Sequence, residues 1–129
     1  MELKEGMYVR TEIGTIGKIT KITNENIFFD RQVFTNHRYC YSNTKYLRKE
    51  ISEKYIIKAS NNIIDLIEVG DYVNGYKVYY CYCADEDMTG LFIDTEERKR
   101  IWLDKPSQIK SIVTKEQFES MSYKLWMKN

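Results

Sequence analysis

Glu5-Gly6-Met7-Tyr8-Val9, followed by Gly14-Thr15-Ile16-Gly17-Lys18-Ile19-Thr20-Lys21-Ile22, is answered past the middle of the chain by Val69-Gly70-Asp71-Tyr72-Val73 and then Gly75-Tyr76-Lys77-Val78. Each copy reads as a glycine turn, a short strand, a second turn and an alternating strand. In the first copy Ile16, Lys18, Thr20 and Ile22 alternate with Gly17, Ile19 and Lys21, which suits a strand near an edge or one bent at its glycine. In the second, Asn74-Gly75 is the strongest short hairpin signal of the chain.

This order of turns and strands resembles the opening of small SH3-like β-barrels. Outward from it, Asn24-Glu25-Asn26 turns the chain into a strand at Ile27-Phe28-Phe29, which Val33-Phe34 extends. Ser42 or Asn43 caps a short helix through Tyr46, Leu47 and Ile51. Tyr55 to Ala59 reads as a strand, and Ile63 to Ile67 is too short to assign by period. Tyr76 to Cys83 is a long β-prone run. Strands follow at Leu91-Phe92-Ile93, Ile101-Trp102-Leu103 and Ile109 to Val113. Thr114-Lys115-Glu116-Gln117 is a capping box that starts a short helix to about Ser120. Tyr123-Lys124-Leu125-Trp126 closes as a terminal strand. The expected fold is mainly β: one or two small SH3-like barrels with a short helix before the last strand. The units are 1–60, with a basic connecting segment, and 61–129, with an acidic insertion.

Composition agrees. The chain has 129 residues, 43% hydrophobic and 14% aromatic, enough to bury a core. Its eleven tyrosines lean it towards half-buried pleated surfaces. Three cysteines, an odd number, fit a reducing compartment better than a disulfide framework. No run approaches the roughly 18 apolar residues of a membrane span, and the first residues lack a signal peptide's apolar stretch. The expected location is therefore the cytoplasm, with no membrane partner.

The net charge of +1 hides an asymmetry. Arg31 to Lys58 holds seven Lys/Arg against two Glu; Asp85 to Glu97 holds six Asp/Glu and no Lys or Arg. Asp85, Glu86 and Asp87, extended by Asp94, Glu96 and Glu97, form a candidate protein-binding set that mimics phosphate charge towards a basic partner, although Arg98-Lys99-Arg100 cancels part of that field. Against it stands a plain solvated turn. Arg38, Lys45, Arg48 and Lys49, interleaved with Tyr39 and Tyr41, are an alternative: cations for phosphates, rings for stacked bases. Against that stands ordinary cross-strand packing of the tyrosines.

His37, Cys40, Cys81 and Cys83 offer four zinc ligands, but only the first pair has usable spacing, so the cysteines read as small apolar fillers and neither metal nor cofactor is expected. One histidine, with no nucleophile elbow, phosphate loop or H-E-x-x-H, argues against an enzyme. Trp102, Trp126 and Phe92 are aromatic anchors for either a core or an interface, and the two tryptophans are assigned first to the core.

The blocks Ile56 to Val78 and Ile109 to Met121, with Gly6 to Thr11 and Ile16 to Ile19, resemble small uncharacterised proteins of phages and prophages of low-GC Gram-positive bacteria. The likeness covers about half the chain and departs between Tyr79 and Lys105, where this chain is longer and more acidic. The resemblance implies a mobile-element protein in a bacterial host cell and carries no catalytic residue. Proteins of this kind are often inhibitors of host defence, anti-CRISPR proteins among them. The expected function is a non-enzymatic accessory protein that blocks a host protein or ribonucleoprotein complex; the alternative is a small-barrel nucleic-acid binder.

Overall fold

The repeated signature folds twice in the same way. Gly6 and Gly70 take positive φ angles of 91° and 99°, a conformation that costs glycine little and other residues more. The amide of Gly6 donates to the Ile19 carbonyl at 2.8 Å, and that of Gly70 to Val78 at 2.9 Å. Ile19 answers to the Met7 carbonyl at 2.8 Å, and Val78 to Asp71 at 2.8 Å. Met7 and Asp71 therefore hold equivalent places, as do Tyr8 and Tyr72, and Val9 and Val73.

The computed structural model describes residues 2–33, 45–85, 88–95 and 99–121. The first half runs β1 (Tyr8–Thr11), β2 (Ile16–Ile22), β3 (Asn26–Phe29), β4 (Tyr46–Arg48), α1 (Lys49–Tyr55) and β5 (Ile56–Ser60). A 3-10 turn at Ile63–Leu66 leads to β6 (Tyr72–Val73), β7 (Tyr76–Asp85), β8 (Met88–Asp94) and β9 (Arg100–Leu103). A second 3-10 turn at Pro106–Gln108, β10 (Ile112–Val113) and α2 (Lys115–Met121) follow. The protein is mainly β: two five-stranded antiparallel sheets, ordered β4-β3-β2-β1-β5 and β10-β6-β7-β8-β9. Counted by position in its own half, each sheet has the same order, with a helical piece before its last strand.

Each sheet has its own core. Val9, Ile19, Ile27, Phe29, Val33, Leu47 and Ile56 form the first. Ile64, Ile67, Val73, Val78, Leu91, Ile93 and Leu103 form the second. Alternation puts these residues on one face and their strand neighbours on the other. No helix among the described residues is long and apolar enough to cross a membrane.

Several expectations need correction. Tyr46, Leu47 and Arg48 are a strand, not the start of a helix; Leu47 pairs with Ile27 and enters the first core. Cross-strand burial outweighs the local helical pattern here, and α1 begins only at Lys49. Tyr55 ends that helix, so β5 starts one residue later than expected. Strand structure in 109–113 shrinks to Ile112–Val113, because Pro106 opens a 3-10 turn and the Ile109 amide donates back to the Pro106 carbonyl. The expected capping box is present: Thr114 N donates to Gln117 Oε1 at 3.1 Å, and Gln117 N to Thr114 Oγ1 at 3.2 Å. The helix it opens follows β10, so the piece preceding the last described strand is the 3-10 turn, and the terminal strand expected at 123–126 lies outside the described residues.

Candidate functional site

The largest polar feature lies where the two sheets meet. Val9 and Arg10 are neighbours on β1, so they point to opposite faces. Val9 enters the first core while Arg10, also fully buried, points towards the second half. Its Nη1 donates to Asp71 Oδ2 at 2.5 Å and to the Leu66 carbonyl at 3.0 Å. Its Nη2 donates to Asp71 Oδ1 at 3.1 Å and to Glu116 Oε1 at 2.7 Å. Asp71 is buried too, and it also accepts the amides of Glu68 at 2.7 Å and Lys115 at 2.9 Å. The carboxylate thus clamps the arginine, closes the turn before β6 and holds the first amide of α2.

Glu68 completes the group. It lies 3.8 Å from Arg10, 3.2 Å from Lys58 and 2.7 Å from Lys115. Burial alone pushes its carboxyl up, but hydrogen bonds from Lys115 and Lys58 and the charge of Arg10 outweigh it and hold the value at about 2. Burial also opposes the charge on Arg10, yet the bond to Asp71 and the surrounding carboxylates raise it above its ordinary value. The Glu68 hydrogen bond raises Lys115. Three cations meet three anions, so the cluster is neutral and structural, and within it the buried Arg10 Nε alone is left without a hydrogen-bond partner. Thr114 adds a bond from its buried hydroxyl to the Gly14 carbonyl at 2.7 Å.

Beside this seam lies a cleft of about 260 Å³. Tyr8, Lys18, Asp30 and Arg31 line it from the first half; Ile109, Lys110 and Ile112 line it from the second. The Lys18 ammonium sits 5.6 Å from the centre of the Tyr8 ring. Asp30 accepts the Lys18 amide at 2.9 Å and faces Arg31 at 3.4 Å.

On the outer face of each sheet is an aromatic pair at the same register. Phe28 opposes Tyr46 across β3 and β4, with ring centres 5.1 Å apart. Phe92 opposes Trp102 across β8 and β9 at 4.8 Å. Phe92 and Trp102 are only half-buried and lie outside both cores, which corrects the assignment of Trp102 to the interior. The alternation that sends Leu91 and Leu103 inward turns these two outward. A register shift in β7 places Tyr79 beside Tyr80; Tyr79 reaches Phe92 at 6.0 Å and carries Arg100 over its ring at 5.1 Å. Tyr80 is 45% and Ile101 41% exposed.

Of the acidic candidates, two lie among the described residues. Asp85 ends β7, and Asp94 is exposed at the far end of β8, opposite Arg100. The six-residue step from Met88 to Asp94 separates these ends by roughly 20 Å. Glu86, Asp87, Glu96 and Glu97 lie outside the described residues. Of the basic alternative, Arg38, Tyr39 and Tyr41 also lie outside them, as do His37, Cys40 and Trp126. Lys45 and Arg48 are exposed at β4, where Arg48 pairs with Glu50 at 2.7 Å, and Lys49 begins α1. Cys81 packs against the second core, with its thiol 3.5 Å from the Ile67 carbonyl.

Sequence reasoning overlooked Arg10 and Asp71, though a lone arginine among apolar strand residues was a usable signal. It also overlooked the Phe28–Tyr46 pair, because its two rings stand far apart in the chain. Comparison with protein families, curated proteins and solved structures returns no match, so the functional reading rests on the chain's own geometry.

Proposed function

We propose that this chain is a non-enzymatic binding protein made of two SH3-like barrels in tandem, of the accessory kind that phages and prophages of low-GC Gram-positive bacteria encode. It acts by steric block: it occupies a surface that a host macromolecular complex needs, and so inhibits a host defence such as CRISPR. The twofold strand order and the helical piece before each last strand support the SH3-like reading. The origin rests on sequence resemblance.

One observation carries the binding surface: the outer face of β7, β8 and β9, where Tyr79, Phe92 and Trp102 are in ring contact and Tyr80 is exposed. Aromatic side chains offer large contact area at low entropic cost and are enriched at binding hot spots. The acidic run Asp85-Glu86-Asp87, which begins where β7 ends, adds charge complementarity to a basic partner.

The test is affinity capture of the tagged protein from a Gram-positive host lysate, with and without nuclease, read by mass spectrometry. A stoichiometric host protein that survives nuclease is expected. Tyr80→Ala should sharply weaken its capture, and neutralising Asp85, Glu86 and Asp87 together should weaken capture more than thermal stability. Capture unchanged by both variants rejects this face as the contact.

A further inference from the structure

The outer face of the first sheet carries Lys18 and Lys21 where the second has Lys77 and Tyr80, and the pattern on the first points to another ligand. Tyr8 on β1 and Lys18 on β2 are directly paired, and Lys21 on β2 pairs with Phe28 on β3. Phe28 pairs in turn with Tyr46 on β4. Each lysine lies over a ring: Lys18 over Tyr8 at 5.6 Å and Lys21 over Phe28 at 5.8 Å. Both lysines are exposed, and Tyr46 is 48% exposed. The described ion pairs of this half lie elsewhere, and Arg48 alone on this face is matched by a carboxylate, that of Glu50. Four adjacent strands therefore carry a stripe of alternating cations and rings, roughly 15 Å long at the usual strand spacing.

The stripe has a defined end. Tyr8 and Lys18 belong both to it and to the cleft of about 260 Å³ at the seam between the halves. There Arg31 and Lys110 add two more cations against the single carboxylate of Asp30, over an apolar floor that includes Ile16 and Ile109. A ligand lying along the stripe runs into a cleft lined by both cations and apolar side chains.

We infer that the first sheet binds single-stranded nucleic acid along Tyr8, Lys18, Lys21, Phe28 and Tyr46, with one end of the strand seated in the seam cleft. The chemistry is specific to that ligand class. A polyanion alone would use the lysines and leave the rings idle; an apolar peptide would use the rings and leave the lysines unmatched. A single strand offers both a phosphate backbone and bases free to stack, and a lysine poised over a ring can turn to a phosphate as a base takes its place. A duplex hides its base faces and cannot use the rings. At the equivalent places the second sheet keeps a lysine, Lys77 opposite Tyr72, but has Tyr80 opposite Phe92 where the first has Lys21 opposite Phe28. The two copies thus differ in charge at that one position of the stripe. This site is independent of the face proposed above.

The experiment is fluorescence anisotropy of the full chain with a labelled oligothymidylate of about 12 nucleotides, titrated at salt from about 50 to about 200 mM. Binding that weakens as salt rises is expected, with a duplex of equal length bound at least about tenfold less tightly because the rings contribute nothing. Tyr46→Ala should weaken single-strand binding by about 5- to 100-fold, the loss typical of one stacked base. Lys18→Gln with Lys21→Gln, both on exposed positions that leave the cores intact, should lower the salt slope by about 1.4, or 0.7 for each phosphate contact. Tyr80→Ala should leave all of this unchanged, so the two faces can fail separately. The inference is overturned by no binding at the lowest salt, by equal binding of the duplex, by polyglutamate displacing the oligonucleotide at equal charge concentration, or by a lysine double variant that binds as the parent does.

Discussion

Glu68 is the residue whose titration the stability of this protein should register. Its ordinary value is 4.5 and its folded value is about 2. A carboxylate lowered by folding adds stability in full above its unfolded value and loses it as pH falls towards the folded one. The contribution of Glu68 is therefore complete above about pH 4.5 and lost between there and about pH 2. Arg10 and Lys115 are raised, so what they add is present below their ordinary values and is lost only in strong alkali. Near neutral pH these three groups leave the stability curve flat. Glu68→Gln should lower the urea midpoint at pH 7 and make the acid limb shallower, so that parent and variant converge near pH 2. Parallel curves at every pH would remove Glu68 from the account.

Elements obey the sequence where burial and local preference agree. The Asn74-Gly75 hairpin forms as expected, with positive φ at both residues and Val73 paired to Tyr76. The capping box at Thr114 forms because its two hydrogen bonds are local. The β4 region fails this test: its local pattern favours a helix, but Leu47 gains a place in the first core only as a strand. The outer aromatic face of the second sheet depends on one close approach. A Cβ at Gly90 would sit 2.3 Å from the Trp102 ring, so the ring lies flat on the bare backbone of β8. Gly90→Ala should push Trp102 outwards, cost about 1–3 kcal/mol as overpacking does, and shift tryptophan emission to the red. Unchanged emission and stability would show that the ring has another resting place.

At the scale of the molecule, two small cores are joined through a charged seam. Asp71 accepts four hydrogen bonds, two from Arg10 and one each from the amides of Glu68 and Lys115. An amide in its place must turn a donor towards other donors. Removing one partner of a buried ion pair is strongly destabilising because the other charge stays buried. Asp71→Asn should therefore cost on the order of 3–5 kcal/mol and uncouple the halves. The parent chain should melt in one calorimetric transition, with equal calorimetric and van't Hoff enthalpies, and the variant in two. A parent chain that already melts in two steps would show that the seam does not couple them.

The mainly β character, the duplicated glycine turns, the Asn74-Gly75 hairpin and the cap of α2 were all legible in the residues, because each depends on neighbours in the chain or on a short period. The partners of Arg10, 56 to 106 residues away, were not. Nor was the outward turn of Phe92 and Trp102: alternation tells which residues share a face, and only the packed sheet tells which face is the core. The stripe of Tyr8, Lys18, Lys21, Phe28 and Tyr46 spans four strands, so it exists only once their register is set. Local preferences are written residue by residue; surfaces are made by strands that meet across the fold.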